Sequence, residues 1–179
     1  MSGARVLVAG VGNIFLGDDG FGVEVAQRLL RQALPAEVRV VDFGIRGLDL
    51  TYALLDGYEA VILVDAAPRG QAPGTLYVLE PDRITSPESE GAAPLVEAHG
   101  MTPEKVLRLA AALGGRVRRL LLDGCEPTPL DEADEMQTGL SEPVGRAVDE
   151  AVVLVEELVG RLLRGEAVNP EKEVGTCRD

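Results

Sequence analysis

"VAGVGNIFLGDDGFG", residues 8–22, decides how the rest of the chain is read. Its start belongs to an apolar run, "RVLVAG" at 5–10, Gly10 and Gly12 mark a tight turn, and from Phe21 onward apolar residues recur at helical spacing. A buried strand, a glycine turn and a helix form the opening unit of a parallel α/β sheet. Such a turn is suited to phosphate, because the free N–H groups of a helix N-terminus carry partial positive charge. Here two carboxylates, Asp18 and Asp19, stand where the anion would sit.

Three readings compete at this loop. A dinucleotide site would use Asp42, at the end of the next apolar run, as its ribose-binding acid, but the third glycine of that fingerprint falls on Phe15. Two like charges about 4 Å apart at an effective dielectric of about 20 repel by about 4 kcal/mol, which disfavours pyrophosphate beside the aspartates. Alternatively Asp18 or Asp19 caps the helix, gaining about 0.3–1 kcal/mol from its dipole. In the third reading the loop holds a cation, which needs further ligands at the same edge of the sheet.

Outward from the loop, "EVRVVDF" (37–43), "AVILVDA" (60–66) and "RRLLLDG" (118–124) read, like 5–10, as strands buried on both faces, and "GTLYVL" (74–79) is a fifth candidate. Phe21, Val25 and Leu29 make one stripe of a helix over 21–32. Thr102 and Pro103 have the form of an N-cap and first helical position for a helix over 102–113. Val144, Val148, Val152, Val155 and Val159 mark a long helix over 141–163 able to cover a sheet. The expected fold is α/β: a three-layer sandwich whose twisted, largely parallel sheet of about five strands is flanked by helices. One domain is expected over residues 1–165 and a flexible tail over 166–179, which lacks an apolar period. Two polar, proline-bearing loops, 80–98 and 125–140, are long enough to be expected to be functional or mobile.

The 179 residues suffice for one core without covalent staples, and with 3% aromatics and no Trp that core must be aliphatic. A formal charge of −13 repels a phosphate backbone, so nucleic acid is not an expected partner. The same charge would favour a basic segment on a partner protein, or serve solubility alone. Cys125 and Cys177 form no CxxC pair, which suits a reducing, cytoplasmic setting. The run "VLVAGVG" is too short for a secretory leader and no stretch is long enough to span a bilayer, so membrane insertion is not expected.

Asp65 closes the apolar run "VILVD", and the carboxyl ends of parallel strands open onto the crevice where ligands bind. His99, the single histidine, precedes the Thr102 cap in "EAHGMTP". Asp19, Asp65 and His99 would supply two carboxylates and an imidazole to one ion, leaving positions open for water or substrate. There is no GxSxG elbow, and one histidine cannot serve both as a ligand and as the base for a serine or for Cys125.

The segments "GVGNIFLGDDGFG", "VILVDAAP", "PGTLYVLE", "EAHGMTPEKVL", "GCEPTPL" and "MQTGLSEPVGRAVDEAVVLVEEL" occur in the order seen in hydrogenase maturation proteases, and this resemblance spans nearly the whole chain. It implies an endopeptidase that trims the C-terminal extension of a [NiFe]-hydrogenase large subunit after nickel insertion. It further implies that Asp19, Asp65 and His99 bind nickel arriving with that precursor, with zinc or another divalent ion possible in the isolated protein. The family's Asp-Gly-Gly-Thr-x-Gly segment, implicated in substrate recognition, is here "DFGIRG": Asp42, Gly44 and Gly47 are kept, while Phe43 and Ile45 depart. A stand-alone zinc peptidase and a non-catalytic nickel-dependent binding protein are the alternative readings.

Overall fold

The computed structural model describes residues 5–81, 102–129 and 138–170. In chain order the elements are β1 (Val6–Val11), a 3-10 turn (Gly17–Gly20) running into α1 (Phe21–Leu29), β2 (Val38–Gly44), α2 (Gly47–Ala53) with a 3-10 extension (Leu54–Asp56), β3 (Ala60–Ala66), β4 (Leu76–Leu79), α3 (Pro103–Ala112), β5 (Arg119–Cys125) and α4 (Glu142–Leu163). The strands form a single sheet in the order β2-β1-β3-β5-β4. All pairings are parallel except that of β4 with β5. This is the expected α/β sandwich, with its one antiparallel strand at an edge.

The sheet separates two apolar layers. On one side α1 and α4 cover it: Phe21, Val25 and Leu29 meet Val144, Val148, Val152, Val155 and Val159 over Val8, Ile62 and Leu121. On the other, Leu50, Leu54, Val106 and Ala110 pack on Leu7, Ala9, Val61 and Leu63. The side chains filling both layers are overwhelmingly aliphatic, as the scarcity of aromatics requires. Arg28 reaches from α1 to Glu24 and to Asp149 on α4, tying the two helices at the surface.

Several local expectations are adjusted. β2 is an edge strand and most of its residues are only half-buried, so it is not covered on both faces as its apolar run implies. α1 ends at Leu29 rather than at residue 32, because the next residue, Leu30, faces solvent and gives a further turn nothing to bury. α2 is not evident in the sequence: among its residues Leu48 and Tyr52 are exposed while Leu50 and Thr51 are buried, so no apolar stripe marks it. α3 begins as anticipated, with the Thr102 side chain accepting the Lys105 N–H at 3.4 Å and Pro103 in the first turn. Val168, within the stretch assigned to the tail, is buried against the α4 layer, and its carbonyl accepts a hydrogen bond from the Arg119 guanidinium at 3.3 Å.

Register places the functional residues. Gly10 lies opposite Asp42 on β2 and Val64 on β3, and Ala66 lies opposite Cys125 on β5. The loop after β1, the "DFGIRG" segment, Asp65 and the loop after β5 therefore all emerge at one edge of the sheet, the carboxyl edge of the parallel strands.

Candidate active site

The glycines of residues 8–22 let the backbone approach itself closely. Gly12 has φ +134° and a Cβ there would overlap the Asp19 carbonyl, so the loop can fold back on the 3-10 turn only without a side chain at this position. A Cβ on Gly22 would likewise overlap the carbonyls of Val11 and Val64, which brings the start of α1 down onto the ends of β1 and β3. The turn carrying both aspartates is thus held directly over the end of β3, where Asp65 lies.

Asp18 and Asp19 have different surroundings. The Asp18 carboxylate is buried: one oxygen accepts the Ser141 N–H at 2.6 Å, the other accepts the Thr128 N–H at 2.8 Å and the Ser141 hydroxyl at 2.9 Å. Asp19 is half-buried and accepts the Asn13 N–H at 2.7 Å. Neither aspartate caps a helix with its side chain, so the capping reading of this pair does not hold.

Asp19 and Asp65 act on each other electrostatically. Burial first, and the Asp19 charge second, push the Asp65 carboxyl up to about 7, against a hydrogen bond from the Ala66 backbone that favours its ionised form. Two carboxylates at the end of a buried strand repel each other, and a cation between them would relieve the repulsion. That is the opposite of what a pyrophosphate site requires. Among the described residues no three His, Cys, Asp or Glu side chains form a metal-binding group, so the described part of the site is this carboxylate pair. His99 lies outside the described residues.

The substrate-recognition candidates lie at the same edge. Gly44, with φ +53°, accepts the Gly12 N–H at 3.0 Å and joins the first two loops. The Asp42 side chain accepts from Gln27 at 3.2 Å, and the Gly47 carbonyl accepts the Thr51 hydroxyl at 2.9 Å as α2 begins. The two departures from the family segment behave differently: Phe43 is in the core, whereas Ile45 is 71% exposed, as Phe15 is at 69%.

Other groups at this edge were not singled out in the sequence. Glu126, buried in "GCEP", accepts the N–H groups of Arg69 at 2.6 Å and Gly70 at 3.1 Å and so anchors the loop after β3. The Tyr77 ring packs where a Cβ on Gly124 would sit, its hydroxyl donates to the Ala67 carbonyl at 2.7 Å, and the Arg69 guanidinium lies 5.0 Å from the ring centre. Glu126 and Gly124 meet partners on segments dozens of residues away in the chain, so spacing carries no sign of them. Cys125 is buried, and burial, followed by the charges of Asp123, Asp18 and Glu126, pushes its thiol up to about 12. A thiol held protonated at neutral pH is a poor nucleophile, which agrees with the absence of a serine or cysteine triad in the sequence.

Known proteins give this edge a context. Residues 23–158 match the family model of the hydrogenase maturation proteases. The hydrogenase expression/formation protein HupD of Rhodobacter capsulatus is 35% identical over 150 residues, covering 83% of this chain and 70% of its own. HoxM of Azotobacter vinelandii is 32% identical over 160 residues, covering 89% and 74%. Among solved structures, the hydrogenase maturating endopeptidase HybD from E. coli superposes with a TM-score of 0.67 at 26% identity, covering 92% of this chain and 96% of its own. A hydrogenase 2 maturation peptidase from a Thaumarchaeota archaeon superposes with a TM-score of 0.63 at 32% identity, covering 87% and 98%. With the match running from α1 into α4 and the same sheet carrying it, this chain belongs to the hydrogenase maturation proteases and is an endopeptidase.

Proposed function

We propose that this endopeptidase removes the C-terminal extension of a [NiFe]-hydrogenase large subunit once nickel has been inserted, and that Asp19, Asp65 and His99 grasp the nickel the precursor carries. The observation that carries the reading is the Asp19–Asp65 pair at one edge of the sheet, two carboxylates where burial first and the Asp19 charge second raise the proton affinity of Asp65, and which a divalent cation would neutralise together. In the free protein a proton on Asp65 reduces that repulsion at neutral pH. Docking of nickel-loaded precursor displaces the proton, and the two carboxylates then orient the precursor so that the peptide following its nickel site lies at the carboxyl edge. A divalent ion at this position supplies Lewis acidity toward the scissile carbonyl. Asp42, Gly44 and Gly47 shape the neighbouring loop against which the precursor is read, and exposed Ile45 makes that contact apolar.

The test is the intact mass of a large-subunit precursor incubated with this protein. Loss of a C-terminal fragment only from nickel-loaded precursor, and not with His99→Ala, is the expected result. Undiminished trimming by His99→Ala would reject the ligand set. Cleavage of nickel-free precursor or unrelated peptides would favour a stand-alone zinc peptidase, and binding without shortening would favour a non-catalytic role.

A further inference from the structure

Asp18 has no part in the ligand set, yet it is the more heavily bonded of the two aspartates. Its carboxylate takes three hydrogen bonds from Thr128 and Ser141, residues that flank the connection between β5 and α4, and the hydroxyls of Thr128 and Ser141 lie 2.8 Å apart beside it. The glycine contacts set the 3-10 turn over β3, and among the described residues the side-chain hydrogen bonds that tie it to a distant segment are those of Asp18. No side chain caps either end, Gly17 on its near side has φ +55°, and within the turn Asp19 is held by its N–H to the Leu16 carbonyl at 3.1 Å. Successive side chains of a 3-10 turn diverge by about 120°, so anchoring one sets the direction of the next. Asp18 points into the β5–α4 connection and Asp19 toward Asn13 and Asp65. The same clamp draws residues 139–140 alongside the turn, leaving a cleft of about 260 Å³ lined by Gly17, Gly20, Gly139 and Leu140.

We infer that Asp18 is a positioning residue: by clamping the 3-10 turn to Thr128 and Ser141 it fixes where the Asp19 carboxylate sits, and so couples the site to the β5–α4 connection. Its consequence for nickel rests on the proposed role of Asp19, whereas the clamp itself does not.

The Asn13 N–H, bonded to the Asp19 carboxylate, reports on Asp19 without metal or precursor. Amide hydrogen exchange of the full chain is measured for the wild type, Asp18→Asn and Ser141→Ala. Asp18→Asn keeps the shape but replaces one of two needed acceptor oxygens by an NH2 group. Asn13 is expected to exchange about tenfold faster or more in Asp18→Asn, together with Thr128 and Ser141, and by a smaller factor in Ser141→Ala, which removes one of the three donors. If Thr128 and Ser141 exchange faster while Asn13 is unchanged, Asp18 merely pins the distal loop and the inference is overturned. Should Asp18→Asn not fold, Ser141→Ala decides by the same criterion. A titration with nickel ion alone is the second readout, with affinity expected to fall roughly 10–100-fold in Asp18→Asn. Loss of binding in Asp19→Asn but not in Asp18→Asn overturns the coupling. Wild-type affinity in Asp19→Asn instead overturns the assignment of Asp19 as a ligand, and the exchange result still judges the clamp.

Discussion

Replacing Asp65 by asparagine should stabilise the metal-free protein at alkaline pH and leave it unchanged in acid. The Asp65 carboxyl is raised from 3.8 to about 7 in the folded protein. Below 3.8 both folded and unfolded chains hold the proton and the shift has no effect. As pH rises the unfolded chain ionises first, so the folded state loses stability progressively until the pH passes about 7, above which the deficit is constant. A shift of this size corresponds to about 4 kcal/mol at 1.36 kcal/mol per unit, and solvent access at the half-buried strand end reduces that to about 2 kcal/mol. Asparagine has nearly the same volume and no charge to desolvate or repel. For a domain of this size the gain is a melting temperature higher by about 4–8 °C at pH 8, shrinking toward zero near pH 4. Differential scanning calorimetry of both proteins across pH 4–8 without added metal measures it. A variant no more stable than the wild type at pH 8, or one whose gain is equal at both ends of the range, would refute the argument that Asp65 is held against burial and the Asp19 charge.

Three further outcomes follow from the geometry. Gly12→Ala places a Cβ onto the Asp19 carbonyl at a φ that L-residues avoid, and should destabilise by about 2–4 kcal/mol in urea denaturation while abolishing precursor processing. Glu126→Ala leaves the N–H groups of Arg69 and Gly70 without their acceptor, with an expected cost of about 1–3 kcal/mol and faster proteolytic nicking near residues 68–72. Ile45→Asp, at an exposed position outside both apolar layers, should leave the melting temperature within about 2 °C of wild type yet raise KM for precursor with kcat little changed. Equal KM values would remove Ile45 from the recognition surface.

The architecture was legible because the forces that build it leave local marks. Phe21, Val25 and Leu29 repeat at helical spacing because one face must be buried, and all three are buried in the α1–α4 layer. Thr102 and Pro103 start a helix because a hydroxyl accepts a free N–H and proline needs none. The run ending in Asp65 reads as an interior strand because its neighbours on both sides are strands. α2 leaves no such mark because exposed Leu48 and Tyr52 interrupt its buried positions, and the direction of β4 is fixed by its pairing with β5 rather than by its own residues.

Within the site, the chain alone showed that carboxylates occupy a loop shaped for anions, and that Asp65 ends a strand at the same edge. Its residues offer no physical ground for choosing between Asp18 and Asp19, two identical residues side by side, and the choice of Asp19 rests on the family resemblance. Only the tertiary structure supplies that ground, because the donors that bury Asp18 come from residues 110 and 123 positions away, while Asp19 turns toward Asp65 on another strand. Apolar periodicity is written into neighbouring residues. The partner of a buried charge is decided by which distant segments the folded sheet brings to one edge.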